Sequence, residues 1–267
     1  MSHLLAALLG FVEGLTEYLP ISSTGHLILV SHLLGEGGEG SKSFDIVIQL
    51  GAILAVVLHY RTLLLERVRG LVLGKREAID LALALALAFA PAAVLGLLLR
   101  KTIKRLLFGP AQVAVALIAG GVLMIVVERV RAAKKATGET GLERVTPSRA
   151  LAIGLGQCLS LWPGASRSMC TIVAGQMAGL STATSAEFSF LLALPTLGAA
   201  TIYELYKGRT ELFTSVGGTE LAVGMVVSFL VAWVVIAAFL RYLKSRGLEA
   251  FGYYRIVVAV LVLWLMK

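Results

Sequence analysis

Glu13 and Glu17 stand four residues apart in an otherwise apolar N-terminal stretch. At that spacing they share one face of a helix. Two carboxylates side by side can hold a divalent cation, or divide into a metal ligand and a general base. The plainer alternative is a pair of solvated charges at a water interface. Apolar surroundings weigh against it, because ionisable groups at membrane depth are costly and mark sites. Pro20 ends that helix, and Ser22, Ser23 and Thr24 follow where a second one begins. Hydroxyls there can cap free amides, or serve as a nucleophile or as phosphate ligands. His26 lies one turn past Ser23. A lone histidine is ordinarily a packing residue, but beside these hydroxyls and carboxylates it reads as part of a catalytic group. His3, His32 and His59 lack such company and read as interfacial.

A second cluster runs Pro163-Gly-Ala-Ser-Arg-Ser-Met-Cys-Thr171. Gly164 lets the backbone approach a ligand closely. Ser166, Ser168 and Thr171 offer hydroxyls, and a helix starting here attracts anions to its N-terminus. Arg167 adds a planar fork suited to phosphate. An arginine at mid-membrane costs about 2.5–3.5 kcal/mol, so it needs a partner, either Glu17 or a ligand. A purely structural Arg–Glu clamp between the two segments is the plainer role, and a phosphate could join it. Brought together, the clusters form an anion site with an acid/base pair or a metal beside it. Their depth suggests an amphiphilic substrate whose tail stays in lipid. Such a set suits phosphoryl transfer, which depends mostly on positioning and charge stabilisation.

The rest of the chain must hold these clusters at that depth. Of 267 residues, 58% are hydrophobic and 15% charged, with mean hydropathy +0.87. Soluble domains are about 45–50% apolar and about 25% charged, so lipid must cover the excess. The net charge of +8 comes from basic residues flanking apolar spans. No basic stretch carries interleaved aromatics, which excludes nucleic acid as a partner. Cys158 and Cys170 are too few for a disulfide framework or zinc site. Met1 to Val12 has no basic n-region, so it does not read as a signal peptide.

Six stretches read as membrane spans: Phe44–Tyr60, Leu81–Leu99 with a kink expected at Pro91, Leu106–Val127, Glu187–Tyr203, Leu221–Leu240 and Ala250–Met266. Met1–Leu34 and Arg149–Leu180 are apolar but break in the middle. Each reads as a re-entrant helical hairpin that dips to mid-membrane, where non-helical backbone survives only if protein or a wet cavity satisfies it. The two hairpins also resemble each other. Glu13 falls on Gln157, Tyr18 on Trp162, Pro20 on Pro163, Ser23 on Ser166 and, further on, Phe44 on Phe188, a spacing of 143–144 residues. The expectation is an all-α polytopic membrane protein forming a single membrane domain over residues 1–267. Two repeats, about 1–130 and about 148–267, would each hold one re-entrant hairpin and three transmembrane helices. An odd number of spans per half inverts the second repeat. Lys and Arg number 14 in 61–80, 129–149 and 241–249 (five, six and three), against 8 on the opposite side. The richer side should be cytoplasmic, so both termini and the mouth of the first hairpin should face outward.

At the two clusters the sequence resembles the undecaprenyl-diphosphate phosphatase family, also called the bacitracin-resistance protein family. Glu13-Gly-Leu-Thr-Glu17-Tyr-Leu-Pro-Ile-Ser-Ser-Thr-Gly-His26 resembles its E/Q-x-x-x-E element with the following Ser and His. Pro163 to Thr171 resembles its P-G-x-S-R-S-x-x-T element, and Phe44–Gly51 and Glu187–Pro195 resemble the flanking segments. The resemblance implies hydrolysis of undecaprenyl diphosphate to undecaprenyl phosphate and inorganic phosphate, recycling the lipid carrier of peptidoglycan synthesis and giving bacitracin resistance. It implies a multi-pass protein of the bacterial inner membrane with a site open to the periplasmic side. It also implies a divalent cation, Mg²⁺ or Ca²⁺. By motif position Glu17, Ser23, His26 and Arg167 would be catalytic. By residue chemistry, Ser22, Thr24, Gly164, Ser166, Ser168 and Thr171 would bind the diphosphate, and Glu13 and Glu17 would hold the metal, or Glu17 would activate the nucleophile. The choice of attacking group among Ser23, His26 and water stays open at the level of residue types. Beyond the polyprenyl diphosphate and membrane lipids, a homodimer partner is also left open.

The competing reading is a transporter or flippase of an anionic lipid or small anion, since inverted repeats with broken helices are transporter architecture. Such a carrier would use Arg167 and the helix ends, but has little use for Glu13, Glu17, Ser23 and His26 together. A lipid phosphatase of the phosphatidic-acid type fits less well. Its S-R-x-x-x-x-x-H pattern, begun at Ser166, would need a histidine where Val173 stands.

Overall fold

The computed structural model describes residues 1–35, 39–107, 109–215 and 217–265. The chain runs α1 (His3–Thr16), α2 (Ser23–Leu33), α3 (Glu39–His59), α4 (Arg61–Val72), α5 (Arg76–Leu106), α6 (Pro110–Ala133), α7 (Pro147–Gln157), α8 (Arg167–Met177), α9 (Thr182–Ser215), α10 (Gly218–Leu243) and α11 (Glu249–Leu265). Short 3₁₀ turns at Leu142–Arg144 and Cys158–Leu161 complete it. Among the described residues the only β pairing is an isolated bridge between Glu139 and Leu180. The helices start where local chemistry tells them to. Ser2 accepts from the Leu5 amide and Thr146 from the Arg149 amide, while Pro110 and Pro147 occupy first-turn positions that need no amide donor.

Among the described residues, four stretches are long and apolar enough to cross a membrane: Arg76–Leu99, Pro110–Ala133, Thr182–Tyr203 and Gly218–Leu243. The end of α3 and α4 would make a fifth, but they meet at a 74° bend. That bend is a finding the sequence reading lacked, since it took 61–80 as a connecting loop. Running straight on would carry Arg61, Glu66, Arg67 and Arg69 into hydrocarbon. The chain turns aside instead, and Arg67 pairs with Glu77 at 2.7 Å. The expected sixth span is α11; Met266, its last expected residue, lies outside the described residues. Pro91 sits inside α5 without ending it. Large apolar side chains such as Leu97, Leu98, Val234 and Trp264 stay mostly exposed, as a lipid-facing surface requires.

Each broken segment is two helices joined by an irregular tip. The N-terminal hairpin breaks between Thr16 and Ser23, the second between Gln157 and Arg167. Each is docked on a helix from the other half of the chain: α1 packs on α10, and α7 packs on α5. Small residues allow both contacts. A Cβ on Gly10 would lie 2.3 Å from the Gly224 carbonyl oxygen, and one on Gly154 would lie 2.6 Å from that of Ala88. Such close backbone approach is how helices pack where lipid removes the hydrophobic drive. Inside, Tyr18, Phe190, Phe239 and Phe251 form an aromatic column with centroids 5.1, 6.2 and 5.3 Å apart.

Arg255 of α11 joins the two tips. It is fully buried, and its guanidinium donates to the carbonyls of Leu117, Pro20, Ala116 and Gly164 at 3.2, 3.1, 3.1 and 2.9 Å. Pro20 and Gly164 are the tips themselves, so one side chain satisfies the orphan carbonyls of both and anchors them to α6.

Candidate functional site

The site forms where the tips meet. Glu17 is the C-cap of α1, its amide still donating to the Glu13 carbonyl at 2.9 Å. The next residues turn sharply, and Ser22 caps α2 from a left-handed conformation with φ 74°. This presents Ser23, the first residue of α2, back toward α1. Its hydroxyl donates to Glu17 Oε2 at 2.6 Å. The other oxygen, Glu17 Oε1, receives Arg167 Nη2 at 3.1 Å. Arg167 reaches this position because Ser166 repeats the device, capping α8 with φ 72°. Ser22 and Ser166 thus hold equivalent caps, whereas the sequence comparison set Ser23 against Ser166. Both serines hold the strained cap, and the gap placed in the tip shifted the register by one.

Arg167 is tied down on every side but one. Nη1 donates to the backbone oxygen and the hydroxyl of Ser189 at 2.8 and 3.1 Å, and the guanidinium lies 5.7 Å from the Tyr18 ring centroid. Its Nε is buried without a hydrogen-bond partner. Ser168 donates across the junction to the Leu19 carbonyl at 2.9 Å. Thr171 bonds back to the Arg167 carbonyl at 2.8 Å and meets the Ser189 hydroxyl at 2.7 Å. Ser22 and Ser166 accept from the amides of Gly25 and Met169. Gly164 holds φ 93° with the Val113 carbonyl 2.6 Å from where its Cβ would be, so a side chain is barred there on both counts. Of the hydroxyls expected to bind diphosphate, those of Ser168 and Thr171 hold the junction together, those of Ser22 and Ser166 cap the two helix starts, and Thr24 lines the neighbouring cavity.

His26 is placed one turn along α2, away from Ser23. Nδ1 lies 2.8 Å from the Ser22 carbonyl and Nε2 2.8 Å from the Tyr254 hydroxyl, with the two rings stacked. A carbonyl only accepts, so a neutral imidazole carries its proton on Nδ1 and accepts from Tyr254 at Nε2. The partner of the Ser23 hydroxyl is the Glu17 carboxylate.

A cavity of about 150 Å³ opens beside this junction. Glu13, Ser23, Thr24, Asp45 and Gln49 supply its polar walls, Leu27 and Ile28 its apolar ones. Glu13 Oε1 and Asp45 Oδ1 are buried carboxylate oxygens without a hydrogen-bond partner. Free oxygens of this kind fit a hard divalent cation. Among the described residues no three His, Cys, Asp or Glu side chains are gathered as metal ligands. Further ligands would have to be hydroxyls, amide oxygen, water or substrate phosphate. Asp45, Ser189, Tyr254 and Arg255 were missed as site residues in the sequence. Asp45 and Arg255 carried a signal there, each as the single carboxylate, lysine or arginine in a stretch read as a span, Phe44–Tyr60 and Ala250–Met266.

A family model described as "Bacitracin resistance protein BacA" matches residues 6–261. A protein of Sorangium cellulosum named undecaprenyl-diphosphatase is 60% identical over 261 residues, covering 97% of this chain and 85% of the relative. One of the same name from Thermoanaerobacter pseudethanolicus is 46% identical, covering 98% and 96%. Undecaprenyl-diphosphatase 3 of Acinetobacter baylyi is 41% identical, covering 98% and 97%.

Proposed function

The chain belongs to the BacA family of bacitracin resistance proteins, and on that premise we propose that it hydrolyses undecaprenyl diphosphate to undecaprenyl phosphate and inorganic phosphate. That reaction recycles the lipid carrier of peptidoglycan synthesis. The observation that carries the reading is the chain of contacts from Ser23 through Glu17 to Arg167, a hydroxyl, a base and a phosphate-binding cation buried between two hairpin tips. An anion carrier has no use for a hydroxyl held 2.6 Å from a carboxylate.

In this reading Ser23 Oγ attacks the terminal phosphorus. The new Oγ–P bond forms as the bond from that phosphorus to the bridging oxygen breaks, and Glu17 takes the hydroxyl proton. Glu17 returns it to the departing phosphate oxygen, and undecaprenyl phosphate leaves. Water then attacks the phosphoserine; Glu17 takes its proton and gives it to Ser23 Oγ, freeing inorganic phosphate. Arg167 holds Glu17 in place, and its free Nε is a donor for the charge developing on phosphoryl oxygens. A bound Mg²⁺ or Ca²⁺ would neutralise diphosphate charge, with Glu13 offering a free oxygen. His26 would position the start of α2 through Ser22 and Tyr254. We assign the cavity mouth to the outer face of the membrane from the Lys and Arg distribution, and read the two hairpin halves as an inverted repeat.

The test is phosphate release from undecaprenyl diphosphate by protein purified in detergent, with and without EDTA, beside Glu17→Ala and Arg167→Ala. Cation-dependent release that both substitutions abolish is the expected result. A folded parent that releases no phosphate with Mg²⁺ or Ca²⁺ present would overturn the enzyme reading in favour of lipid transport, measurable in proteoliposomes.

A further inference from the structure

Glu17, which the motif pairs with Glu13 as a metal ligand, has both oxygens engaged, one by Ser23 and one by Arg167. Glu13 is in the opposite position. It is 1% exposed, yet its Oε1 meets no donor. Across the same cavity Asp45 of α3 has a buried and unpartnered Oδ1. A buried polar atom left without a partner costs on the order of 1–3 kcal/mol, more when charged. Packing alone does not demand that cost. In the second hairpin, 144 residues on, the position of Glu13 is filled by Gln157. That amide is fully buried and satisfied, bonding to the Ala88 carbonyl and the Thr196 hydroxyl. The position of Asp45 is likewise filled by Ser189, whose groups are used by Arg167 and Thr171. Neutral, satisfied residues serve in one half of the chain, and unsatisfied carboxylates stand in the other.

The charge balance points the same way. The charged groups close enough to act on Glu13 are Glu17, Asp45 and Arg167. Three carboxylates against one guanidinium leave a formal charge of −2, which one divalent cation cancels. Mg²⁺ is commonly held by one or two carboxylates with waters and substrate phosphate, while Ca²⁺ takes six to eight oxygens that can include amide carbonyls and waters. Gln49, one turn past Asp45, lines the same cavity, its Oε1 steadied by the Thr201 hydroxyl at 3.2 Å. We propose that Glu13 and Asp45 are the carboxylate ligands of the divalent cation, seated across the cavity from Ser23, and that Glu17 is not a ligand. This deepens the phosphatase reading and rests on it for the identity of the ion as a divalent cation.

The test reads binding without substrate. ⁴⁵Ca²⁺ is equilibrated by dialysis against the parent and against Glu13→Gln, Asp45→Asn, Asp45→Glu and Glu17→Gln, each confirmed monodisperse in detergent. Asp45→Asn and Glu13→Gln are expected to weaken Ca²⁺ binding at least roughly tenfold, and Asp45→Glu to recover most of it. Glu17→Gln should leave the affinity within about threefold while phosphate release collapses. If Glu17→Gln weakens Ca²⁺ as much as Asp45→Asn, or if the parent binds no Ca²⁺ and protons neutralise the pair instead, the assignment is wrong. Should Asp45→Asn not fold, Asp45→Glu decides: a folded protein with no recovered binding overturns it. Failure of the phosphatase reading would look different, with Ca²⁺ bound by the parent and no phosphate released.

Discussion

Glu17 serves two partners at once, and that double engagement sets what its loss should do. Glu17→Gln keeps the shape but removes the base for Ser23 and the counter-charge for Arg167. Its kcat should fall by about 10²–10⁴-fold with a smaller change in KM. Ser23→Ala should cost at least as much, and the double variant should cost hardly more than the worse single one, because residues acting as a unit are not additive. An additive result in phosphate-release kinetics would mean that water, not Ser23, is the nucleophile. Arg167→Lys should also fail, since an ammonium cannot bridge Ser189 and Glu17 as the planar fork does. The residue types of this group, and the need of a mid-membrane arginine for an acidic partner, were legible in the sequence. The division of labour between Glu13 and Glu17 was not. Identical side chains one turn apart on α1 differ only in which donors fold against them.

At the scale of elements, the two tips are irregular backbone at depth, and Arg255 is what satisfies them. Arg255→Met preserves bulk and strands the tip carbonyls of Pro20 and Gly164. We expect on the order of 3 kcal/mol of lost stability, roughly 6–12 °C in the midpoint of thermal unfolding in detergent. Activity should fall with it, because Pro20 and Gly164 flank the starts of α2 and α8, which carry Ser23 and Arg167. Gly154→Val tests the other side of the arrangement. Its side chain would meet the Ala88 backbone of α5 and push the second hairpin outward. Loss of phosphate release with the secondary structure intact by circular dichroism is the expected outcome. Helix existence and type followed from apolar runs and the prolines. The α4 turn-off was hidden because its charges read equally well as a loop, and the extension of α9 to Ser215 passes the apolar limit set at Tyr203.

For the molecule as a whole, every residue of the proposed reaction comes from one chain. Specific activity should therefore stay constant as the detergent-solubilised protein is diluted through any change of oligomeric state followed by light scattering; a fall on dilution would assign a second copy a part in the site. The sequence by itself determined that this is a membrane bundle, that its polar chemistry lies at two broken hairpins, and to which family it is related. Those conclusions rest on composition, period and local spacing, which the chain carries without folding. Only the tertiary structure decided that Ser23 faces Glu17 rather than His26. It also decided that the second cluster's hydroxyls fasten the tips together, and that Asp45, 32 residues from Glu13, shares its cavity. Each of these depends on which helix lies against which, and in an apolar bundle many pairings bury similar surfaces. The buried guanidiniums that help select one pairing act across separations of 150 and 235 residues, where no local pattern reaches.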